Sequence, residues 1–167
     1  YQMLGESLSD PHHVEAGGTI KGMGLLPMDT VFAEKKTRTR VEGTFGELDG
    51  AFAKLSGTAL EGYEIHMGET VRDADAQPFA TLKHGEHEVP DGCVTENACG
   101  TYLHGVFDAP EAAQRLAQAL ADRKGVTLEG AAEDPAVYRE RQYDLLAATV
   151  RRSLDMQRIY DIMEGKA

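Results

Sequence analysis

The segment Gly100–Asp108, with the sequence GTYLHGVFD, is the most informative part of this 167-residue chain. Tyr102 and Leu103 are expected to continue a buried strand that ends on His104, and Asp108 is suited to begin a helix. Folds of the α/β class place reactive groups at the ends of strands. The segment therefore predicts an α/β fold in which His104 belongs to a functional site.

Helical patterns follow this segment. Asp108 and Glu111 fit the Asp-x-x-Glu capping pattern, with Pro110 in the first turn, and Gly125 is expected to end the helix. The buried face of this helix is predicted to contain Leu116, Ala119 and Leu120.

Two more helices are predicted on the same grounds. One begins at Asp134 and Pro135, and a short helix follows Asp155. The inward-facing residues of the short helix are expected to be Ile159, Ile162 and Met163.

The part of the chain before these helices is predicted to be rich in β-strands. Short apolar runs bounded by Gly, Asp and Pro are typical of strands. The predicted strands are residues 38–45, 63–67 and 79–84, and residues 92–95 and 99–103 are predicted to form a hairpin. Residues 1–8 have apolar side chains at helical spacing and are expected to be the tail of a helix, followed by a loop over residues 9–19. The whole predicts one α/β domain with a mixed central sheet flanked by helices.

Composition and charge narrow the classes of function. The net charge of −11 argues against binding to a nucleic-acid backbone, which needs clustered lysine and arginine. No apolar run approaches the roughly 20 residues that span a bilayer, and the start of the chain lacks the pattern of a signal peptide. We therefore expect a cytoplasmic protein without nucleic-acid or membrane partners. The basic run Lys35–Arg40 and the pair His12–His13 are interpreted as solvated surface.

The two cysteines, Cys93 and Cys99, are too few for a disulfide framework. We expect both to be free structural thiols, which could face each other across a hairpin that turns near Glu96 and Asn97. No set of Cys, His and carboxylate residues has the spacing of a zinc site, so no metal site is predicted.

Two further segments give meaning to the strand that ends on His104. They are Tyr1–Gly5, with the sequence YQMLG, and Gly62–Gly68, with the sequence GYEIHMG. Together with residues 100–108, they resemble the glutaminase domain of the cobyric acid synthase family, a group of class I glutamine amidotransferases. The resemblance implies a partial flavodoxin-like class I amidotransferase domain over residues 1–167.

The resemblance also implies which residues form the site. Hydrolysis of an amide by this class needs a thiolate, a histidine that moves protons, and donors for the oxyanion. His104 matches the catalytic histidine, and Gln2 matches a glutamine that helps to hold the substrate. His66, Met67 and Gly68 are expected to line the glutamine pocket.

The nucleophile of the resembled domain is expected outside this chain. In the family pattern Gly-x-Cys-Gly-Gly-Tyr-Gln-Met-Leu-Gly, the cysteine falls three residues before the position of Tyr1. We therefore expect an N-terminally truncated catalytic domain that keeps the base, lacks the nucleophile and is inactive by itself.

The chain departs from the family pattern at two positions. Many class I domains have His-Pro-Glu, with the glutamate completing a triad, whereas Val106 stands here in place of that glutamate. Backbone carbonyls, Glu64 and His66 are all candidates for orienting His104. Relatives often have arginine where this chain has Glu69, so Glu69 is not predicted to bind a carboxylate.

The resemblance implies that the parent enzyme hydrolyses glutamine and passes ammonia to an upstream synthetase domain, which uses ATP and magnesium. The glutaminase domain itself needs no cofactor. The implied acceptor is the corrinoid adenosylcobyrinic a,c-diamide, amidated at positions b, d, e and g in cobalamin biosynthesis. Alternative enzymes are a cobyrinic a,c-diamide synthase and the glutaminase subunit of a lipid II amidating complex. An alternative of another class is a catalytically inactive docking module.

Overall fold

The computed structural model describes residues 1–128, 130 and 133–166. The chain divides into two compact units, residues 1–131 and residues 132–167. The prediction that all 167 residues form one domain stays a prediction. In the described parts of the chain, no helix is both long enough and apolar enough to cross a membrane.

In its described residues, the first unit contains strands, two short 3-10 helices and one α-helix. The 3-10 helices span Gln2–Leu4 and Gly50–Leu55, and helix α1 spans Pro110–Lys124. The strands are β1 (Ser7–Asp10), β2 (Gly18–Lys21), β3 (Met28–Phe45), β4 (Ala59–Arg72), β5 (Ala80–His84), β6 (His87–Asp91), β7 (Cys93–Val94), β8 (Cys99–Gly100) and β9 (Leu103–His104).

Strand β3 organises the main sheet, whose central order is β2-β1-β3-β4-β9. Its first half pairs in parallel with β1, its second half pairs antiparallel with β5, and β4 pairs antiparallel along its length. Strand β6 extends the sheet beyond β5. The predicted mixed sheet is therefore confirmed, and its only parallel pair among the described strands is β1 with β3.

The pairing of β3 with β4 contains one irregularity. Phe32 pairs with Gly68, but the next paired residue, Thr37, is opposite His66. Residues 33–36 therefore bulge out of the ladder. Such bulges redirect side chains and recur next to functional sites.

The core of the first unit lies between the second half of β3, its neighbours in the sheet, and α1. Phe45 and Phe79 are fully buried and meet edge to face, with ring centroids 5.2 Å apart. Burying each such side chain stabilises the fold by about 1.5–3 kcal/mol. The other buried members of this core are Val41, Leu48, Leu55, Leu60, Ala80, Leu82, Val94, Leu103 and Ala112.

Helix α1 begins one residue later than predicted. Its N-cap is Ala109, whose side chain cannot accept a hydrogen bond, so the prediction that Asp108 caps the helix is wrong. The backbone amide of Asp108 instead donates to the carbonyl oxygen of Gly105 at 2.8 Å, closing a turn between β9 and the helix. Pro110 in the first turn and left-handed Gly125 at the C-cap agree with the prediction.

The buried face of α1 also differs from the prediction. Ala112 and Ala121 are buried, Leu116 and Ala119 are half-buried, and Leu120 is 49% exposed. Small residues allow the helix to pack closely on the 3-10 helix Gly50–Leu55. Periodicity located the helix but placed Leu120 on the wrong side.

The beginning of the chain is less helical than expected. The 3-10 helix ends at Leu4, and the predicted helix tail up to residue 8 is wrong because Leu8 lies buried in β1. The predicted loop over residues 9–19 is also shorter than expected, because residues 9–10 belong to β1 and residues 18–19 to β2, which pairs antiparallel with β1. The amide of Glu6 bonds to the carbonyl of Met28 at 2.8 Å, so tertiary pairing overrides the local helical spacing.

The predicted hairpin is present only in part, as β7 and β8. Its predicted second arm, residues 99–103, is interrupted at Thr101 and Tyr102, and Leu103 belongs to β9 of the main sheet. Val94 pairs with Cys99, and Cys93 pairs with Gly100, so the two cysteines are offset by one position and do not face each other. Both are free thiols, as expected. Strand β6 was not anticipated, because His87–Asp91 has a polar sequence.

The second unit contains helix α2 (Pro135–Ser153) and helix α3 (Met156–Met163). The carboxylate of Asp134 accepts from the amide of Ala136, and that of Asp155 accepts from Arg158, which confirms both predicted starts. Of the predicted inward residues of α3, Ile159 is half-buried, whereas Ile162 and Met163 are exposed. That part of the prediction is wrong.

Candidate functional site

An open pocket of about 380 Å³ brings the three informative sequence segments together. Gln2 comes from the first segment, His66 and Met67 from the middle one, and His104 from the last. This volume is within the range of small-molecule sites, about 300–1,000 Å³. The pocket is lined by Tyr1, Gln2, Glu15, Phe32, Lys36, Ile65, His66, Met67, Thr101, Tyr102, Leu103 and His104.

His104 is the last residue of β9 and is exposed. Its cross-strand partner is Tyr63 on β4, and the two rings stack nearly parallel with centroids 5.0 Å apart. A side chain on Gly62 would collide with the carbonyl oxygen of His104, so the glycine permits the close approach of the two strands. Gly105 follows in the left-handed conformation, at φ 84°, and turns the chain away from the strand end.

Of the candidates for orienting His104, Glu64 does not face it. Glu64 is opposite Leu103 in the ladder, so its side chain lies on the face of β4 away from Tyr63 and His104. Its carboxylate faces two other imidazoles, at 3.6 Å from Nε2 of His66 and 3.4 Å from Nε2 of His84. Among the described residues, stacking on Tyr63 is the ring contact that positions His104.

His66 is held by contacts on three sides. Its Nδ1 is 2.8 Å from the carbonyl oxygen of Gly68, which can only accept, so the imidazole proton is assigned to Nδ1. Its Nε2 faces Glu64, and its ring stacks on Tyr102 with centroids 3.8 Å apart. The His66 ring therefore has a fixed place at the edge of the pocket.

Glu64 is a buried acid, only 5% exposed. Burial raises the pKa of its carboxyl group, the neighbouring Asp91 raises it further, and His84 and His66 oppose the shift. In the described part of the chain its Oε2 accepts no hydrogen bond. The carboxyl group is thus buried beside two imidazoles, and burial favours its neutral form.

Gly68 makes room for Gln2. A β-carbon at position 68 would collide with Nε2 of Gln2 and lie 2.6 Å from the hydroxyl of Tyr102. That hydroxyl bonds to Thr70 at 2.6 Å, and Thr70 bonds to Thr30 at 2.8 Å. Burial raises the pKa of Tyr102, while its hydrogen bonds with Thr70 and Gln2 lower it. The arrangement seats the Gln2 side chain on Gly68.

Neither cysteine lines the pocket. Cys93 is fully buried in a cluster with Leu26 and Met28, and burial raises the pKa of its thiol. Burial raises the pKa of Cys99 to about 11. Because the thiolate is the nucleophilic form of cysteine, the raised pKa values disfavour both residues as nucleophiles at neutral pH. Among the described residues, no group of three His, Cys, Asp or Glu side chains could hold a metal ion.

Sequence reasoning missed several residues of the pocket wall. Tyr102 was treated only as part of a strand, although its ring and hydroxyl contact both His66 and the Gly68 region. Lys36 was assigned to solvated surface, and Glu15 to a loop. No local pattern marks them, because the bulge in β3 and the loop after β1 bring them to the pocket.

The part of the chain that carries this pocket resembles a known protein family. Residues 1–112, which include all the pocket residues, match the CobB/CobQ-like glutamine amidotransferase domain. The chain belongs to the CobB/CobQ-like glutamine amidotransferase family.

Curated relatives of this CobB/CobQ-like chain carry the name cobyric acid synthase. The protein of Ruminiclostridium cellulolyticum is 47% identical over 98% of the chain and 33% of its own length. The proteins of Citrobacter koseri and Lachnoclostridium phytofermentans are 46% and 44% identical, again over 98% of the chain and 33% and 34% of their lengths. The chain thus spans about a third of the curated relatives that it matches.

Proposed function

We propose that this chain is the glutaminase part of a cobyric acid synthase, which hydrolyses glutamine to glutamate and ammonia. The observation that carries the proposal is the convergence of Gln2, His66, Met67 and His104 on one pocket. Three segments far apart in sequence supply these residues, and each was expected from the family resemblance. The cobyric acid synthase relatives favour this enzyme over the other amidotransferases considered.

The chemistry assigned to His104 is proton transfer at the amide. A histidine beside a cysteine thiol takes its proton as the sulfur attacks, and returns a proton to the leaving ammonia. The exposed imidazole of His104 at the pocket wall is accessible to both partners. Stacking on Tyr63 restricts its ring without a carboxylate, in keeping with a dyad.

Gln2, His66, Met67 and Gly68 are proposed to form the glutamine-binding wall. Gln2 offers both an amide donor and a carbonyl acceptor. Its position depends on Gly68 and Tyr102, which surround its Nε2. His66 and Met67 come from the neighbouring part of β4, where the ladder with β3 is interrupted by the bulge.

We also propose that residues 1–167 by themselves do not hydrolyse glutamine. The reaction needs a thiolate, and the raised pKa values of Cys93 and Cys99 leave both protonated at neutral pH. The nucleophile is accordingly proposed to lie outside residues 1–167, as the resemblance implies.

The fate of the ammonia is a proposal about the whole protein. We propose transfer to a synthetase domain that uses ATP and magnesium to amidate adenosylcobyrinic a,c-diamide at positions b, d, e and g. Support comes from the name and threefold greater length of the curated relatives.

The test uses the full-length gene product and its His104→Ala variant. We expect the variant to lose glutamine-dependent amidation while retaining amidation driven by added ammonium salt. The exposed residue His87 on β6, which does not line the pocket, provides the matched control His87→Ala. Equal loss of both activities in His104→Ala would contradict the proposed role.

Labelling with a glutamine-analogue alkylator, followed by peptide mass analysis, tests the nucleophile. One adduct on a cysteine outside residues 1–167 is expected. Absence of any adduct would favour the docking-module alternative.

A further inference from the structure

Two side chains of opposite charge line the same pocket as His104. Glu15 comes from the loop between β1 and β2, and Lys36 comes from the bulge of β3. They are the one carboxylate and the one lysine or arginine among the described lining residues. The established family membership does not assign a role to either residue.

The backbone around Glu15 is held in place by a buried carboxylate. Asp10, 5% exposed, accepts hydrogen bonds from the amides of Val14 at 2.9 Å, Glu15 at 2.8 Å and Gly17 at 2.9 Å. These three bonds lower the pKa of Asp10 against the effect of burial. The loop therefore has a defined path that presents Glu15 to the pocket.

The position of Lys36 follows from the bulge of residues 33–36. The ladder runs regularly to the pair of Phe32 with Gly68 and resumes at Thr37 opposite His66. The extra residues leave the plane of the sheet beside the segment of β4 that carries His66 and Met67. Lys36, the last residue of the bulge, reaches the pocket wall as a result.

Neither charge is used within the described structure. Glu15 and Lys36 take part in none of its ion pairs, including one with each other. Their side chains are exposed and stay available to a ligand. An ammonium and a carboxylate that line one pocket complement a zwitterion better than a simple amide.

We propose that Lys36 binds the α-carboxylate and Glu15 the α-ammonium of L-glutamine, so that this pair selects a free amino acid. The inference rests on the proposed glutaminase function. With both α-groups bound, the side-chain amide of the substrate extends towards His104 and Gln2. Amides without an α-carboxylate or an α-ammonium group are consequently poor substrates.

Glutamate or ammonia release by the full-length gene product tests this pair. We expect Lys36→Met to raise the KM for L-glutamine about tenfold, the scale of one charge-assisted hydrogen bond, with little change in kcat. With glutamine α-amide, which lacks the carboxylate, KM should be the same in Lys36→Met and the wild type. Glu15→Gln should likewise raise the KM for L-glutamine about tenfold. With 4-carbamoylbutanoate, which lacks the α-amino group, KM should be the same in Glu15→Gln and the wild type.

Lys35→Met and Glu34→Gln are the matched controls, because both residues lie in the same bulge but do not line the pocket. Their KM values should equal that of the wild type. If the wild type releases glutamate and Lys36→Met keeps its KM, only the assignment of the pair is overturned. If the wild type releases none, the proposed function itself is overturned.

Discussion

Gly68 shows how a single missing side chain shapes the site. A β-carbon there would meet Nε2 of Gln2, the Tyr102 hydroxyl at 2.6 Å and a methyl carbon of Thr30 at 2.8 Å. The residue before it, Met67, lines the pocket, so any relief of the clash moves the wall. Steric crowding therefore explains why the segment GYEIHMG has a glycine at position 68.

Gly68→Ala is expected to impair glutamine hydrolysis in the full-length gene product. Overpacking of this kind destabilises by about 1–3 kcal/mol, and displacement of Gln2 should raise the KM for glutamine. Gly43→Ala is the control, because its β-carbon would clash with the backbone of Thr81, a residue outside the pocket wall. Equal effects of the two variants on KM, measured below their melting temperatures, would argue against a specific role for Gly68.

The buried acid Glu64 should make stability depend on pH. Burial and Asp91 raise its pKa in the folded protein, so the folded state binds more protons than the unfolded state above the ordinary pKa of glutamate. Its contribution to stability is complete below that ordinary pKa and decreases as pH rises through the folded value.

Chemical denaturation across this pH range measures the effect. The free energy of unfolding of the wild type minus that of Glu64→Gln should fall as pH rises above the ordinary glutamate pKa. A difference in unfolding free energy that falls as pH rises indicates that the pKa of Glu64 is raised in the folded protein. An increase over the same range would show that His66 and His84 dominate and that the folded pKa is depressed.

At the scale of elements, two aspartates before helices behave differently. Asp134 caps α2 through Ala136, whereas Asp108 closes a turn through its backbone and leaves the cap to Ala109. Asp134→Ala should therefore destabilise by about 1 kcal/mol. Asp108→Ala should have a clearly smaller effect. Hydrogen exchange of the first-turn amides of α1 and α2 distinguishes the two cases, and equal losses of protection would refute the assignment.

The sequence predicted those elements whose signals are local. Pro110 and Gly125 marked the ends of α1, and short bounded runs located β5 and the β7–β8 hairpin. It failed where partners distant in sequence decide the structure. Leu8 lies at helical spacing from Tyr1 and Leu4, yet pairing with β3 places it in strand β1.

The residues of the candidate site show the same contrast between local sequence signals and contacts with distant partners. A family motif carries the predicted site residues His104, Gln2, His66, Met67 and Gly68, and all of them except Gly68 line the pocket. The roles of the aromatic residues that stack on them, Tyr63 and Tyr102, were not predicted. Stacking and cross-strand pairing depend on the register between β4 and β9, which the sequence does not reveal.

At the scale of the whole molecule, the distribution of thiols leads to a prediction. Residues 1–167 should release no glutamate from glutamine above the level of their own His104→Ala variant, because Cys93 and Cys99 are protonated and lie outside the pocket. Coupled glutamate detection over hours provides the measurement. Sustained release that depends on His104 would mean that one of these cysteines acts as nucleophile.

The long pairing of β3 with β4 has a consequence for the order of folding. Residues 46–58 connect β3 to β4, whereas the longer segment of residues 73–102 separates β4 from β9 along the chain. Closing a shorter loop loses less entropy, and the β3–β4 ladder is much the longer of the two. We expect this ladder to form in the transition state and β9 to dock afterwards. Substitutions around His104 should then accelerate unfolding while leaving the refolding rate nearly unchanged.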